Sequence, residues 1–271
     1  MRGYGILEGM QKRNRRALFW LAVVTFIFAS WVVIRYAQGY AYDFSAGKFV
    51  RTGAIAVTVN TDAQLFIDDA KTGGTSFLGN RAGQEGLLPG SYALRVARDG
   101  YTSWHKTVIV EEGKLIDFPH VLILPTDDAD LLALKAEASR SLSNSAALAA
   151  TASKSKLLRV GDFQLDEAHL LDMRPASPSL VADRVLGFSV TDDSSRLLWW
   201  SRNEIWVLWL NNTDQQPYRS EGERQAITRL SVPIIRAAWF RDHEHIVIDV
   251  GNESYRILET DGRGGTNIIK L

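Results

Sequence analysis

The chain has 271 residues, of which 46% are hydrophobic and 23% are charged, and this balance excludes an intrinsically disordered protein. Its 31 basic and 31 acidic residues cancel, so the net charge gives no indication of nucleic-acid binding, and the chain has no cysteine that could form a disulfide. We therefore expect one or two domains that are stabilised by ordinary hydrophobic cores.

Charge is distributed unevenly at the start of the chain. Residues 1–16 contain five basic residues and one acidic residue, which gives this segment a net charge of +4 and leaves −4 for the remainder. The basic residues are Arg2, Lys12, Arg13, Arg15 and Arg16, and the acidic residue is Glu8. A basic cluster beside an apolar run is typical of the cytoplasmic end of a membrane anchor.

An apolar run without any charge extends from Ala17 to Ile34 and reads ALFWLAVVTFIFASWVVI. As a helix it would be about 27 Å long, which is close to the thickness of a hydrocarbon core. We predict a transmembrane helix over residues 17–36 that binds the protein to the lipid bilayer. A buried soluble helix is the alternative, whereas a cleaved signal peptide is disfavoured because bulky residues occupy the place of a cleavage site.

The orientation of this helix follows from the basic residues on its two sides. They precede the run, and only Arg35 follows it closely. Because cytoplasmic flanks carry the excess of positive charge, we expect residues 1–16 in the cytoplasm and the stalk over residues 37–52 on the outer side. The sequence thus predicts a single-pass protein of the cytoplasmic (plasma) membrane whose C-terminal domains are extracytoplasmic.

Residues 53–125 show a period of two, which is typical of β-strands. One stretch, LPGSYALRVARDGYTSWHKTVIV, contains two turns, each followed by an alternating strand. Gly90 and Gly100 are interpreted as turn residues that need a positive φ. Tyr92 and Trp104 are interpreted as core residues of the strands that follow those turns.

Short motifs in the same region resemble the PEGA domain family. They are GAIAVTV from Gly53, AQLFIDD from Ala63, a glycine-rich loop, LPGSY from Leu88, and DGY ending at Tyr101. The resemblance covers about a quarter of the chain. It implies a small extracytoplasmic β-sandwich of the kind found in bacterial and archaeal envelope proteins and surface-layer proteins, where it acts as a binding or spacing module.

Residues 126–156 have a different composition. They are acidic at first and then read SRSLSNSAALAATASKSK, rich in alanine and serine. We predict a linker or a loosely docked helix, because the tract has no wide apolar stripe to bury. A coiled-coil helix is disfavoured because large residues at heptad spacing are missing.

Residues 157–271 return to strand patterns of another kind. The segment from Gly187 to Leu210 predicts three strands separated by two turns, and the segment from Ile234 to Gly262 repeats that order. Four-strand units repeated about every 40 residues are typical of propeller blades, and the AWF and ETDG pieces of the second segment are similar to blades of the TolB-like or WD-repeat type. A third fragment lies in Leu157 to Leu171.

Two repeats and a fragment are too few for a closed ring. We therefore predict a partial propeller and expect its terminal strand, Thr266 to Leu271, to pair with an earlier blade, while completion of the ring by oligomerisation stays open. The predicted fold class is mainly β, with a transmembrane helix, a small PEGA-like β-sandwich, an Ala/Ser-rich linker and an antiparallel blade-like region.

Tryptophans are concentrated in the predicted blades. Trp199 and Trp200 are adjacent on a strand, so their side chains must face opposite sides. A two-sided core is favoured, and stacking of one ring on a sugar or a partner protein is the alternative. Trp239 aligns with Phe188 in the repeat. We therefore predict that Trp239, like Trp199 and Trp200, has a structural role or a possible role in an interaction.

No residue pattern indicates catalysis. His243 and His245 have a spacing that could hold a metal on a strand, but no third His or Cys lies near them, so a solvated hairpin tip is favoured. Adjacent acids such as Asp192 and Asp193 are assigned to turns. The sequence contains no nucleophile elbow, phosphate-binding loop or dinucleotide fingerprint, and we expect no catalytic residue, metal or cofactor.

Two hypotheses for the function follow. The first is a non-enzymatic, membrane-anchored envelope protein that binds or scaffolds a cell-wall polymer, a surface-layer component or a partner protein. The alternative is an envelope sensor, or an enzyme subunit whose catalytic partner acts in trans. The lack of a nucleophile and base in the sequence patterns favours the first hypothesis.

Overall fold

A computed structural model describes residues 12–75, 80–152, 157–174 and 176–271, with side chains for all of these except 12–13, 144–152 and 157. Residues 1–11 of the predicted cytoplasmic segment and residues 153–156 of the predicted linker lie outside the described residues. Most of the ordered elements among the described residues are strands, in several small antiparallel sheets, which confirms the predicted mainly β class.

The chain forms two compact units. The first contains the described residues up to Ala54 together with Glu85–Gly90 and Val110–Leu115. The second contains the described residues of Ile55–Gln84, Ser91–Ile109 and Ile116–Leu271. Most of the predicted sandwich and the whole predicted blade-like region therefore belong to the same unit.

The first unit begins with the predicted apolar helix, α1 (Lys12–Ala37), followed by the strands β1 (Tyr40–Asp43) and β2 (Lys48–Arg51). Within the segment Asn14–Ala37, an 18-residue window has a mean hydropathy of 2.4 and is not buried at all, so the helix is long and apolar enough to cross a membrane. The predicted stalk is an antiparallel hairpin in which Tyr42 lies opposite Phe49.

Seven strands form the region that resembles a PEGA domain. They are β3 (Gly53–Val59), β4 (Gln64–Ile67), β5 (Ala70–Gly74), β6 (Arg81–Leu87), β7 (Gly90–Ala97), β8 (Trp104–Val110) and β9 (Leu115–Val121). They make two sheets, with the strand orders β6-β3-β9 and β5-β4-β7-β8.

The turn glycines of this region are only partly as predicted. Gly100 has a φ of 75°, which confirms its assignment to a turn. The prediction that Gly90 needs a positive φ is wrong, because Gly90 already belongs to strand β7; before this strand the positive φ of 75° is found at Gly86. Pro89, whose ring fixes φ near −65°, lies in the short connection between the two positions.

A long helix, α2 (Asp128–Ala152), occupies the segment predicted as a linker or loosely docked helix. Its N-terminus is capped, since the backbone N–H of Asp130 donates to Asp127 Oδ1 at 3.0 Å. Asp128 and Asp130 lie in the first turn, where the helix dipole favours negative charge.

Residues 157–174 and 176–271 form three consecutive sheets, each of four antiparallel strands in sequence order. The first sheet has β10 (Leu157–Val160), β11 (Phe163–Asp166), β12 (His169–Asp172) and β13 (Ser179–Ala182). The second has β14 (Gly187–Val190), β15 (Arg196–Trp200), β16 (Glu204–Trp209) and β17 (Arg224–Arg229). The third has β18 (Arg236–Trp239), β19 (His245–Asp249), β20 (Tyr255–Glu259) and β21 (Ile268–Lys270). The fragment predicted near residue 157 is thus part of a full four-stranded sheet.

The second sheet is buried on both faces. Leu197 and Trp199 pack in one core with buried residues of the first sheet. Leu198 and Trp200, which alternate with them, pack in another core with buried residues of the third sheet. This is the arrangement expected for a two-sided core, since successive side chains of a strand face opposite ways.

Helix α2 covers the other face of the third sheet. Leu134, Ala138 and Leu142 are fully or almost fully buried and pack against a core that includes Val247 and Ile257. This differs from a loose linker: a stripe of three residues spaced four apart is narrow, but its alanine lets the helix approach the sheet closely. The carboxylate of Glu137 adds a two-pronged ion pair with the guanidinium of Arg241, at 2.8 and 2.6 Å.

The terminal strand does not pair with an earlier sheet. Strand β21 pairs with β20 of its own sheet, with Ile269 opposite Ile257. The expectation of a ring-closing strand is therefore wrong, because helix α2, rather than another sheet, covers the exposed face of the third sheet. In such an open stack the outer face of the third sheet must be covered, but no strand from the first sheet has to pair with it.

A buried charged group joins strand β8 to the third sheet. Lys106 alternates with Trp104 and Val108 on the buried face of β8, and its side chain is 0% exposed. Its ammonium group forms an ion pair with Glu259 and donates to the backbone carbonyls of Asp261, at 2.7 Å, and Gly265. All three ammonium hydrogens therefore have acceptors.

The carboxylate of Glu259 is equally well satisfied. Trp104 Nε1 donates to its Oε2 at 2.8 Å, and the backbone and side-chain nitrogens of Asn267 both donate to its Oε1 at 3.0 Å. Trp104 is 3% exposed and packs edge-on against Phe118, with ring centroids 5.1 Å apart. Trp104 is a buried anchor, as predicted, but its partners are on the third sheet as well as in its own region.

Replacing Lys106 with Met should destabilise the protein strongly. The carboxylate of Glu259 would stay buried without a cation, which costs about 3 to 5 kcal/mol of unfolding free energy. The double variant Lys106→Met with Glu259→Gln should recover part of this loss, because glutamine carries no charge and its single carbonyl oxygen can still accept from Asn267, although its amide nitrogen then faces Trp104 Nε1. Denaturant unfolding of the full chain in detergent would measure both.

The matched control is Lys114→Met. Lys114 pairs with Glu111, but both side chains are more than half exposed, so its loss should cost less than about 1 kcal/mol. Equal unfolding midpoints for the Lys106 and Lys114 variants would contradict the buried ion pair.

Candidate functional site

A polar cleft of about 350 Å³ lies in the second unit. Its lining comes from the β14–β15 turn, the β16–β17 loop, the β18–β19 turn and strand β9. The lining residues, together called the polar cleft below, are His120, Asp193, Ser195, Arg196, Thr213, Asp214, Gln215, Gln216, Pro217, Asp242, His243 and Glu244. Almost all of them carry hydrogen-bonding side chains.

The two turns that line the cleft are equivalent in the repeat. Each connects the first and second strands of its sheet, and each is built on an aspartate that accepts backbone N–H groups two or three residues further along. Asp193 accepts from Ser195 N at 3.0 Å, and Asp242 accepts from the N–H groups of Glu244 and His245 at 2.8 Å. The repeat therefore brings two carboxylates to one cleft.

Asp193 lies between a hydroxyl and an imidazole. Its Oδ1 accepts from Ser195 Oγ at 2.7 Å, and its Oδ2 lies 3.1 Å from His243 Nδ1. Burial raises the pKa of Asp193, but hydrogen bonds from Thr191 and Ser195 and the nearby His243 outweigh it and lower that pKa to about 2. The carboxylate is ionised at neutral pH.

Asp242 is paired with the buried His245. Both carboxylate oxygens lie 2.9 Å from His245 Nδ1, and the imidazole is almost completely buried. Burial raises the pKa of Asp242, but the hydrogen bond and charge of His245 outweigh it, so the net shift of this pKa is downward. The pair fixes the shape of the turn from beneath the cleft.

Arg196 fixes the position of the third acid. Its guanidinium forms an ion pair with Glu244 and donates to the backbone carbonyl of His243, so it ties strand β15 to the β18–β19 turn. Glu244 Oε2 accepts from Thr260 Oγ1 at 2.7 Å. The Nε of Arg196 is buried and has no hydrogen-bond partner among the described residues.

The β16–β17 loop is held by contacts to strand β9 and to the third sheet. Gln216 Oε1 accepts from the backbone N–H of Asp117 at 3.1 Å and from Arg263 Nη1 at 2.7 Å. Gln215 Oε1 lies 3.3 Å from His120 Nε2. The wall of the cleft is therefore built from both sequence regions of the second unit.

The serine, aspartate and histidine of the cleft are not ordered as a nucleophilic triad. A triad needs the imidazole between hydroxyl and carboxylate so that it can take the hydroxyl proton. Here the carboxylate of Asp193 lies between Ser195 and His243, so the serine hydroxyl donates to a carboxylate instead of an imidazole. The arrangement is suited to holding donors and acceptors in fixed positions.

Two of the four carboxylates that line the cleft have partners within it. His243 accompanies Asp193, Arg196 accompanies Glu244, and only Asp214 is exposed on the loop. The many hydrogen-bonding side chains of this surface suit a ligand that is rich in hydroxyl or amide groups.

The tryptophans singled out in the sequence do not line this cleft. Trp199 and Trp200 are buried in two different cores, and Trp239 is half-buried against the core that contains Trp200. Trp104 is buried against Glu259. Their burial places these rings in structural positions.

The other residues singled out belong to the region that resembles a PEGA domain. Tyr92 is half-buried on strand β7. Tyr101 forms an isolated bridge with Pro125, and the guanidinium of Arg98 lies 4.6 Å from the centre of its ring. Gly100 borders a separate groove of about 710 Å³.

The two candidate metal-binding histidines point to different places. His243 lies in the turn and contacts Asp193, whereas His245 begins strand β19 and contacts Asp242, so they do not share a strand face. No group of three or more His, Cys, Asp or Glu side chains arranged for a metal occurs among the described residues.

No protein-family model matches the chain, and no curated protein matches it. Among solved structures, one similarity is to a Bacteroides fragilis protein of unknown function that is described only provisionally as membrane-associated. The two chains share 10% identity, the match covers 81% of this chain and 94% of the other, and the TM-score is 0.21. A TM-score this low carries no argument about fold or function.

Acid should weaken the turn that carries Asp193. Because its pKa is lowered from 3.8 to about 2 in the folded chain, its contribution to stability is complete above the unfolded value and is lost as the pH falls toward 2. The variant Asp193→Asn should therefore reduce the slope of the unfolding free energy against pH between these two values. Acid titrations followed by denaturant unfolding would measure it.

Asp192→Asn is the control for this experiment, since Asp192 is exposed in the same turn and does not line the cleft. A slope that changes equally in the two variants would show that Asp193 has no special role in the turn.

Proposed function

We propose that this chain is a non-enzymatic protein of the cell envelope, anchored in the cytoplasmic membrane by helix α1. Its β-rich part acts on the outer side and binds a cell-wall polymer, a surface-layer component or a partner protein through the polar cleft. The single observation that carries the anchor is the apolar helix.

Helix α1 supports an anchor through its length and its exposure. The segment Asn14–Ala37 has 24 residues, about 36 Å of helix, which exceeds a hydrocarbon core of about 30 Å. Large apolar side chains such as Phe19, Phe26 and Ile27 are more than half exposed, an arrangement that is costly in water and favourable in lipid.

The charges beside the helix support the outward orientation. Arg15 and Arg16 are exposed in its first turns, and the sequence adds Lys12 and Arg13. At the other end only Arg35 lies within the helix. The excess of basic residues at the start favours a cytoplasmic N-terminus.

The fixed cleft supports a binding role. The Arg196–Glu244 ion pair and the contacts of Gln216 hold its walls before any ligand arrives, which lowers the entropic cost of binding. The Ser195 hydroxyl faces a carboxylate, which supports a non-enzymatic role.

A reporter enzyme that is active only outside the cytoplasm, fused after Leu271, should be active. Replacing Lys12, Arg13, Arg15 and Arg16 together with serine should lower that activity, because the charge bias that sets the orientation would be lost. The same reporter fused after Arg16 should be inactive and is the control. Activity only in the latter fusion would overturn the proposed topology.

The cleft can be tested by retention on isolated envelope material. Asp214→Arg should reduce retention of the detergent-solubilised full chain by about tenfold, a change of 1.4 kcal/mol, because it places a long side chain and an opposite charge on the exposed loop of the cleft. Asp192→Arg is the matched control outside the cleft. Unchanged retention for Asp214→Arg, or turnover of an envelope substrate by the purified chain, would contradict this role.

A further inference from the structure

We propose that the hairpin of β1 and β2 is a second membrane-binding element, whose aromatic side chains lie among the phospholipid headgroups beside the end of helix α1. This inference rests on the proposed anchor and adds to it a lipid-binding surface outside the helix. The sequence alone predicts a stalk over residues 37–52 on the outer side, whereas the structure has a hairpin that folds back along the helix.

The base of the hairpin is tied to the end of the helix. The backbone N–H and the hydroxyl of Thr52 both donate to the carbonyl of Gly39, at 2.8 and 2.9 Å. The guanidinium of Arg35 lies 4.9 Å from the centre of the Tyr40 ring. The first strand residue is therefore next to the last turn of α1.

Further along the hairpin, the contacts move toward the middle of the helix. Phe49 packs edge-on against Trp31, with ring centroids 5.4 Å apart, and Phe49 lies opposite Tyr42 in the hairpin. Arg35 and Trp31 are four residues apart in the helix, which is about 6 Å along its axis. Tyr40 and Tyr42 are two residues apart in the strand, which is about 7 Å along the strand. The two distances agree, so the hairpin runs back along the helix toward the bilayer.

A continuous series of aromatic rings follows this direction. The neighbouring ring centroids are 5.0 to 6.2 Å apart, in the order Phe28, Trp31, Phe49, Tyr42 and Phe44. The series begins on the face of the membrane helix and ends at the tip of the hairpin, where Phe44 is 89% exposed. Trp and Tyr are enriched where a membrane protein crosses the interface.

The charges of the hairpin fix its depth at the headgroups. Asp43 and Lys48 lie opposite each other at the tip, and neither would be stable in the hydrocarbon core. The carboxylate of Asp43 accepts from the backbone N–H groups of Ser45 and Ala46, at 2.8 and 3.1 Å, so the tip turn is internally satisfied. Such a turn is suited to the interfacial layer and not to the core.

The basic residues favour anionic lipid. Arg35, Lys48 and Arg51 face only Asp43 in this segment, an excess of two positive charges, and each basic group near an anionic membrane surface adds to the attraction. The aromatic series is continuous with the helix that enters the same bilayer, so we identify the occupant of this surface as phospholipid headgroups.

The absence of cysteine in the sequence allows a direct test on the full chain. Single variants Phe44→Cys, Phe28→Cys and Tyr218→Cys would be labelled with a fluorophore and reconstituted into vesicles of phosphatidylcholine and phosphatidylglycerol. Some of the lipids would carry a quenching nitroxide, either at the headgroup or on the acyl chain. Tyr218 is the matched control, an aromatic residue that is 70% exposed in the second unit.

We expect headgroup nitroxides to quench the label at position 44 and acyl-chain nitroxides to quench the label at position 28. The label at position 218 should keep its fluorescence with both. Quenching at 28 with none at 44 would overturn the hairpin inference and leave the anchor intact, whereas no quenching at 28 would overturn the anchor itself. If the label at position 44 is protected from the lipid nitroxides to an extent that depends on the protein-to-lipid ratio, a second copy of the chain covers this surface. That result would also overturn the inference.

Discussion

The second unit depends on the burial of one ammonium group. A lysine removed from water loses several kcal/mol of hydration, which is recovered only when every hydrogen finds a well-placed acceptor. Lys106 satisfies this condition through Glu259 and the carbonyls of Asp261 and Gly265, all of which belong to strand β20 or the loop after it. Strand β8 can therefore reach its native environment only when the third sheet is folded, and the two sequence regions cannot be treated as independent modules.

The stack of three sheets imposes a second constraint. The outer face of the third sheet is apolar and must be covered. In a closed ring each sheet is covered by a neighbour on both sides. Here the third sheet is covered on one side by the second sheet and on the other by Leu134, Ala138 and Leu142 of α2. The apolar face of a helix thus covers the third sheet in place of a further sheet, and the chain needs no strand that returns to close the ring.

The sequence predicted the elements better than their partners. Period-two patterns located β7 and β8, and the repeat located the turns at Asp193 and Asp242 in matching positions. It missed the role of Lys106, because a lysine within an alternating strand normally marks the solvent face, and its acceptors lie more than 150 residues away. The polar cleft was missed for the same reason: its acids were assigned to turns, and only the stacking of the sheets brings them together.

The same reasoning explains why the segment after the membrane helix was predicted as a stalk. Its aromatic residues have no period that separates a hairpin from an extended chain, and the contact of Phe49 with Trp31 joins positions that only a reversal of the chain can bring together. The hydrogen bonds that Thr52 donates to the carbonyl of Gly39 close the base of this hairpin beside the end of the helix.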